Sequence, residues 1–282
     1  MGKFTGVLLV SDFDDTLCGT DLTGSGPDLP EREDGPLLSA VNQRALDDFI
    51  AQGGVFTVAT GRAHRTFARF APRLPLGAPA VLSNGSVIYD FAREKELFHA
   101  YLRPEVVADV RALAQAMPEV GFEVQFAHTV CIYQPNDITW RHLHRLALDY
   151  EECPLEDMPQ PWGKLVLEGT HQVLLEAQSF LLGRWGGHYE AIFSNNHLLE
   201  VTPKGCHKGA MVLRVAQQMG IRRENLYCVG DNQNDIPMLA VSAIPFAPAN
   251  CAQVVRDFGA RILRSCDEGC VAHVVEELDK LY

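Results

Sequence analysis

Three carboxylates stand within four positions, at Asp12, Asp14 and Asp15, with Thr16 beside them at the end of the apolar run 7–10. Left unpaired, such a cluster repels itself and costs stability, so a bound cation is its simplest explanation, with a solvated acidic turn as the alternative. Three other stretches carry groups that complement it: Thr60-Gly61-Arg62, Lys208 followed by Gly209, and Gly230-Asp231-Asn232-Gln233-Asn234-Asp235. Together they supply carboxylates, a hydroxyl, a cation and an amide, the equipment of a Mg²⁺ site beside a phosphate site. Mg²⁺ takes few carboxylates and keeps several waters, which leaves room for phosphate oxygens. Each part also has a plainer reading: Thr60 can cap a helix, and Asp231 can be a turn residue. Lys208 is more telling. A lysine at a helix N-terminus faces the wrong end of the macrodipole, yet beside exposed N–H groups it makes an anion site. Lys204 is a rival, but it precedes the helix by several residues. A calcium-loop reading fails on spacing. The sixth position from Asp12 is Leu17 and the sixth from Asp231 is Ile236, where glycine is required, and the twelfth from Asp12 is Thr23 rather than glutamate.

These groups can meet only if the elements that carry them end at one place. The run 7–10 reads as a strand buried on both faces, and the carboxyl ends of such strands are where open α/β sheets keep ligands. Strands expected at 55–59, 80–82 and 226–229 lead into Thr60, into Ser83-Asn84-Gly85 and into Gly230-Asp231. Helices are expected over 37–52, stopped by Gly53-Gly54, over 63–70, and over 209–219, stopped by Gly220. Pro237 places the start of the next helix near Asn234, leaving Asp231 on the loop. Two further units, 243–247 with 253–258 and 261–263 with 271–281, complete a doubly wound parallel-sheet (Rossmann-like) α/β core. Between them the texture changes. A strand at 96–102, helix 104–117, extended run 121–133, helix 138–150, strand 164–167, helix 172–185 and two β-runs, 189–193 and 198–202, read as an inserted α+β cap. The expected division is therefore 1–86 with 203–282 as core and 87–202 as cap. The Gly-, Pro- and acid-rich stretch 19–36 is a loop long enough to cover the strand end.

Composition narrows the function. The 282 residues carry 24 basic and 36 acidic side chains, a formal charge of −12. An acidic surface argues against non-specific binding to nucleic acid or anionic membrane, though not against a small anionic substrate held by a few local cations. No h-region opens the chain, and no apolar run approaches the roughly 20 residues needed to span a bilayer, so the expected compartment is the cytoplasm. The eight cysteines include no C-x-x-C pair; Cys266 and Cys270 could share a helical face, a weak signal. His142 and His144 are two apart and would not face each other on a helix, and no chemistry is assigned to either. The oligomeric state is left open between monomer and dimer.

In this order the motifs resemble those of the haloacid dehalogenase (HAD) superfamily of phosphohydrolases, in its Cof-like branch with a large α/β cap between the second and third motifs. Asp12-Phe13-Asp14-Asp15-Thr16 resembles motif one, Ala59-Thr60-Gly61-Arg62 motif two, Lys208-Gly209 motif three, and Gly230 to Asp235 motif four. Ser83-Asn84-Gly85 and Glu200-Val201-Thr202-Pro203 resemble two further signatures of the branch. The resemblance implies that Asp12 is a nucleophile forming an aspartyl phosphate and that Asp14 acts as general acid, then base. It implies Mg²⁺ held by the Asp12 carboxylate, the Asp14 backbone carbonyl and Asp231, with Asp235 supporting through water. Thr60, the Gly61 N–H, Lys208 and Asn234 would hold the phosphoryl oxygens. The implied substrate is a small phosphorylated metabolite, sugar and polyol phosphates foremost, and Trp162, Lys164, Asn195, Asn196 and His197 are cap candidates to meet a polyol. Two departures stand out: Asp15 occupies a position where the family more often has glycine, and the loop 19–35 is longer than usual. A phosphotransferase or mutase using the same aspartyl phosphate, with a cap that excludes water, is the alternative enzyme. A non-catalytic binding protein on this fold is a third reading, against which the two motif-one aspartates argue.

Overall fold

The computed structural model describes residues 2–19, 37–126, 129–146 and 149–282. Apart from Gly19, the loop expected over 19–36 lies outside the described residues. The first part of the chain supplies strands β1 (Leu8–Ser11), β2 (Val55–Val58), β3 (Ala80–Leu82), β4 (Val87–Asp90) and β5 (Lys95–His99), with helices α1 (Ala40–Ala51) and α2 (His64–Phe67). The middle part supplies α3 (Val106–Ala116), β6 (Gly121–Gln125), β7 (Val130–Tyr133), α4 (Asp137–Leu146), β8 (Tyr150–Glu152), β9 (Lys164–Glu168), α5 (His171–Trp185), β10 (Tyr189–Asn195) and β11 (Leu198–Pro203). The last part supplies α6 (Lys208–Gln218), β12 (Leu226–Val229), α7 (Ile236–Leu239), β13 (Pro245–Ala247), α8 (Gln253–Phe258), β14 (Arg261–Ile262) and α9 (Cys270–Asp279).

The core sheet is parallel, in the order β14-β13-β12-β1-β2, and a parallel bridge from Ala59 to Val81 brings β3 alongside β2. β1 sits at the centre and is buried throughout, as its unbroken apolar run requires. The chain winds away from it in one direction through β2 and β3, and in the other through β12, β13 and β14. That reversal of strand order opens a crevice at the carboxyl ends of β1 and β12. One face of the sheet packs on α1 and α9 through Leu46, Phe49, Val271, Val274 and Leu278. The other packs on α6, α7 and α8 through Met211, Val212, Val215, Leu239 and Val255.

The cap sheet runs β10-β11-β9-β6-β7-β8, antiparallel except for the β7–β8 pair. Its side chains alternate. Phe122, Val124, Leu165, Leu167, Leu199 and Val201 face α3 and α5 and form the cap's own apolar cluster. Glu123, Gln125, Lys164, Glu168 and Glu200 occupy the intervening positions and therefore the opposite face.

Strand pairing shifts two expected boundaries. β4 pairs antiparallel with β3 and β5 antiparallel with β4, and Ile88, Leu97 and Phe98 pack with the core, so the core continues past residue 86; the cap cluster starts at Leu102. The helix expected over 138–150 ends at Leu146, and Tyr150–Glu152 pairs with β7 instead.

Candidate active site

Four loops deliver the predicted residues to the crevice. Asp12 leaves β1 with its N–H donated to the Val229 carbonyl of β12 (2.9 Å), which fixes its backbone at the strand end. α6 starts at Lys208, and Gly209 lets that start press against α7: a Cβ there would lie 2.0 Å from the Pro237 carbonyl oxygen. Gly230 does the same for its loop, since a Cβ would fall 2.5 Å from the Asp235 carboxyl carbon. Close approach is thus bought by the two glycines, and it brings Lys208 between two acids. Its Nζ donates to Asp12 Oδ1 and to Asp235 Oδ1, both at 2.6 Å.

Asp235 is fully engaged. Its Oδ1 accepts from Lys208, and its Oδ2 accepts from the N–H groups of Asp231 (2.9 Å) and Asn232 (3.0 Å). Asp231 accepts from the Thr16 hydroxyl at 2.8 Å, so Thr16 orients a carboxylate from across the sheet. Carboxylate oxygens of Asp12, Asp231 and Asp235 lie within 4.8 Å of one another. Three acids then face one lysine. Burial, with the Asp235 charge added, pushes Asp12 up to about 7, and Lys208 only partly offsets this. Burial and the charges of Asp12 and Asp235 hold Asp231 well above the ordinary carboxylate range. Burial opposes the charge on Lys208, but Asp12 and Asp235 outweigh it and raise its pKa. Ionised, the group carries two uncompensated negative charges, the deficit that one divalent cation would fill. Hard carboxylate oxygens at this spacing fit Mg²⁺, which Asp12 and Asp231 could hold with Asp235 behind them.

Asp14 stands apart from that trio. Arg62 grips it with two hydrogen bonds, Nε to Oδ2 at 2.9 Å and Nη2 to Oδ1 at 2.6 Å, in a bidentate pair. The guanidinium is buried over the rings of Phe13 and Phe70, and Asp14 keeps it charged against that burial. Asp15 adopts φ 57°, the left-handed region that favours glycine, which accounts physically for its being unusual at this turn.

Thr60 is wholly buried and its oxygen accepts from the Arg62 N–H at 3.1 Å, which braces the turn; α2 has Ala63 at its N-cap with no side-chain cap, so Thr60 is not a helix cap, and its hydroxyl proton remains a donor. Asn234 Nδ2 donates to Asn84 Oδ1 at 3.1 Å, and Asn84 with Ser83 is held at positive φ to present that oxygen. Asp12, Asp14, Gly61, Asp231 and Asn234 line one cavity of about 180 Å³, with Lys208, Asp235 and Thr60 behind its wall. Of the cap candidates, Lys164 and Asn195 line this cavity. Trp162 is buried in the cap's cluster, Asn196 is exposed, and His197 bonds the Gly169 carbonyl through its ring.

A profile of haloacid dehalogenase-like hydrolases matches residues 9–275. The chain belongs to that family. It is 24% identical over 257 residues to an HMP-PP phosphatase of Serratia proteamaculans, covering 88% of this chain and 89% of that protein. It is 28% identical over 267 residues to a 5-amino-6-(5-phospho-D-ribitylamino)uracil phosphatase of Bacillus subtilis, covering 86% and 92%. In fold it is similar to a HAD subclass IIB sugar phosphatase, with TM-score 0.79, 18% identity, and coverage of 97% of this chain and 99% of that one.

Several residues of this hydrolase's cleft were not singled out from the sequence. Arg62 was quoted only within its motif, and its pairing with Asp14 spans 48 positions. Glu200 was noted as part of a signature, but not as the partner of Lys164 at 2.6 Å. Lys164 Nζ also donates to the Gly61 carbonyl at 2.9 Å, and Gln233 Oε1 accepts from the Phe193 N–H at 3.0 Å, so both hydrogen bonds join the cap to the core, as does the ion pair of Arg65 with Asp149 at 2.7 Å. Alternation in Lys164-Leu165-Val166-Leu167-Glu168 was the available signal for a polar cap face. All eight cysteines are unpaired as disulfides, and burial raises Cys228, Cys266 and Cys270. None lines the cleft.

Proposed function

We propose that this hydrolase is a Mg²⁺-dependent phosphatase of a small phosphorylated metabolite, a sugar phosphate foremost, working through an aspartyl phosphate on Asp12. The observation that carries this reading is the convergence of Asp12, Asp231, Asp235 and Lys208 at the end of the central parallel strand. Bound Mg²⁺ supplies charge neutralisation for the phosphoryl oxygens and keeps Asp12 ionised. Asp12 attacks phosphorus in line with the departing oxygen. Lys208 fixes the rotamer of the attacking carboxylate and neutralises charge on the transferring group, while the Thr60 hydroxyl, the Gly61 N–H and the Asn234 amide orient its oxygens. Asp14 protonates the leaving oxygen and later deprotonates the water that cleaves the aspartyl ester. Arg62 holds Asp14 meanwhile; an incoming phosphate competes for that guanidinium and frees the carboxyl to act.

The small cavity and the polar side chains of the cap support a compact, hydroxyl-rich leaving group, and the related phosphatases support phosphosugars, phosphoribityl compounds and pyrimidine phosphates as the panel to assay. The test is phosphate release from an aryl phosphate and then from that panel, with and without Mg²⁺. Mg²⁺-dependent release that disappears in Asp12→Asn supports the reading. Transfer to a second metabolite without release of free phosphate would turn it to a phosphotransferase.

A further inference from the structure

A second set of metal-ligating side chains lies in the cap, outside the reaction centre. β6 contributes Glu123, β9 contributes Glu168 and α4 contributes His142, and one ligand atom from each falls within 4.8 Å of the others. Glu123 and Glu168 are both completely buried. Gln125 Nε2 occupies Glu123 Oε1 at 2.6 Å, but Glu123 Oε2 accepts no hydrogen bond and stands 3.6 Å from His142 Nε2. Glu168 is the more telling. Neither of its buried oxygens has a hydrogen bond of ordinary geometry, although Thr139 is near enough to favour its charge. A buried, unpartnered carboxylate is expensive, and two on one face of a sheet more so.

Neighbouring charges do not answer it. Lys164, on the same face of β9, already serves Glu200 and the Gly61 carbonyl. From α4 the cluster meets Thr139 and His142, from β6 Gln125, and from β11 Glu200, which adds negative charge that Lys164 matches. The deficit is two negative charges beside an imidazole. We propose that Glu123, His142 and Glu168 bind a divalent cation of mixed nitrogen and oxygen preference, of the Mn²⁺ or Zn²⁺ kind.

Two carboxylates and an imidazole are the donor set that suits such ions, rather than the all-oxygen shell of Mg²⁺. Neighbouring ligands around such an ion stand about 3–3.5 Å apart, so binding draws the three side chains inwards from their present spacing of up to 4.8 Å. His142 also lines the active-site cavity, so the ion has a route in from the cleft. Bound there, it clamps α4 onto the polar face of the cap sheet and sets the orientation of His142 in the cleft wall, away from the Asp12 centre.

The test counts Mn²⁺ on the full chain by loss of the free-ion electron paramagnetic resonance signal. Wild type should bind two ions. Asp231→Asn should keep the cap ion, whereas Glu168→Gln and His142→Gln should each keep only the core ion, the cap affinity falling about tenfold or more. His142 sits at the cleft wall, so its variant serves if Glu168→Gln fails to fold. If wild type binds a single ion that Asp231→Asn abolishes, or if both cap variants bind as many ions as wild type, the proposal is overturned. The two buried glutamates would then share a proton, and the reading of the Asp12 centre would be untouched.

Discussion

Two groups of buried carboxylates flank the same cleft, and they are solved in different ways. In the core, Asp12, Asp231 and Asp235 sit on strand ends and loops, where backbone N–H groups are not consumed by a ladder. Asp235 takes two such N–H groups and a lysine, and Asp231 takes the Thr16 hydroxyl. In the cap, Glu123 lies mid-strand and Glu168 closes β9, both paired within the sheet, so that the ladder uses the backbone groups and only side chains across the face remain. Gln125 answers one oxygen; the two of Glu168 go unanswered. Loops give their acids hydrogen-bond donors from the backbone, whereas a sheet face leaves its acids to the side chains across it.

The largest effect should separate the two groups by function. Asp12→Asn keeps the size of the side chain and removes the proposed nucleophile, and turnover of an aryl phosphate should fall on the order of 10⁴-fold or more. Glu123→Gln, made in parallel, should leave aryl phosphate turnover within about threefold. An Asp12→Asn protein with near wild-type turnover would sink the assignment.

That contrast also explains what could be read from the sequence. Asp231 and Asp235 are four apart on one loop, Asp12 and Asp14 two apart, and Lys208 opens a helix, so local spacing exposes each of them. The α/β winding follows from four apolar runs ending in small or polar residues. Glu123 and Glu168 meet only because β6 pairs with β9, and nothing local specifies that register. β8, Tyr150–Glu152, was hidden for a related reason: it is exposed, with no apolar alternation, and its strand character comes from the neighbour β7. Asp15 was visible as an oddity but not as a left-handed residue, since φ is not written in composition.

Lys208 sharpens the comparison next, because it is the cation that lets the core tolerate its acids. Lys208→Met should lower kcat by about 10²- to 10³-fold, as for loss of one group that stabilises transition-state charge. It should also destabilise the metal-free fold by about 3–5 kcal/mol, the usual cost of breaking a buried ion pair. Urea unfolding with and without Mg²⁺ measures it. A variant as stable as wild type without metal would mean that the acids are protonated rather than balanced by the lysine.

The pH dependence tests that same balance at smaller scale. Asp12 has its folded pKa at about 7, raised from 3.8. Between these values the folded state holds a proton that the unfolded chain has lost, so stability is greatest at the acid side and declines as pH rises through the window. Metal-free protein should therefore have a higher urea midpoint at about pH 5 than at about pH 8, so far as Asp12 governs the difference. Asp12→Asn should flatten the slope, and added Mg²⁺ should do so by favouring the ionised acid. An unchanged slope in Asp12→Asn would assign it to other groups.

The smallest effect concerns how the two regions are joined. Gln233 stands on the core loop beside Asn234, yet its side chain accepts from the Phe193 N–H of the cap at 3.0 Å. The bond belongs to neither apolar cluster, so removing it should leave global stability nearly unchanged and act on closure alone. One neutral hydrogen bond is worth about 0.5–1.5 kcal/mol, which corresponds to a drop in kcat/KM of about 2- to 12-fold for Gln233→Ala if the closed cleft is the reacting form. Asn234→Ala, one position on, removes a group proposed to hold the phosphoryl oxygens and should lower kcat instead. The pair of neighbouring variants therefore divides closure from chemistry: equal losses in kcat for both would show that the loop acts as one unit, and no loss for Gln233→Ala would show that the cap closes without this bond.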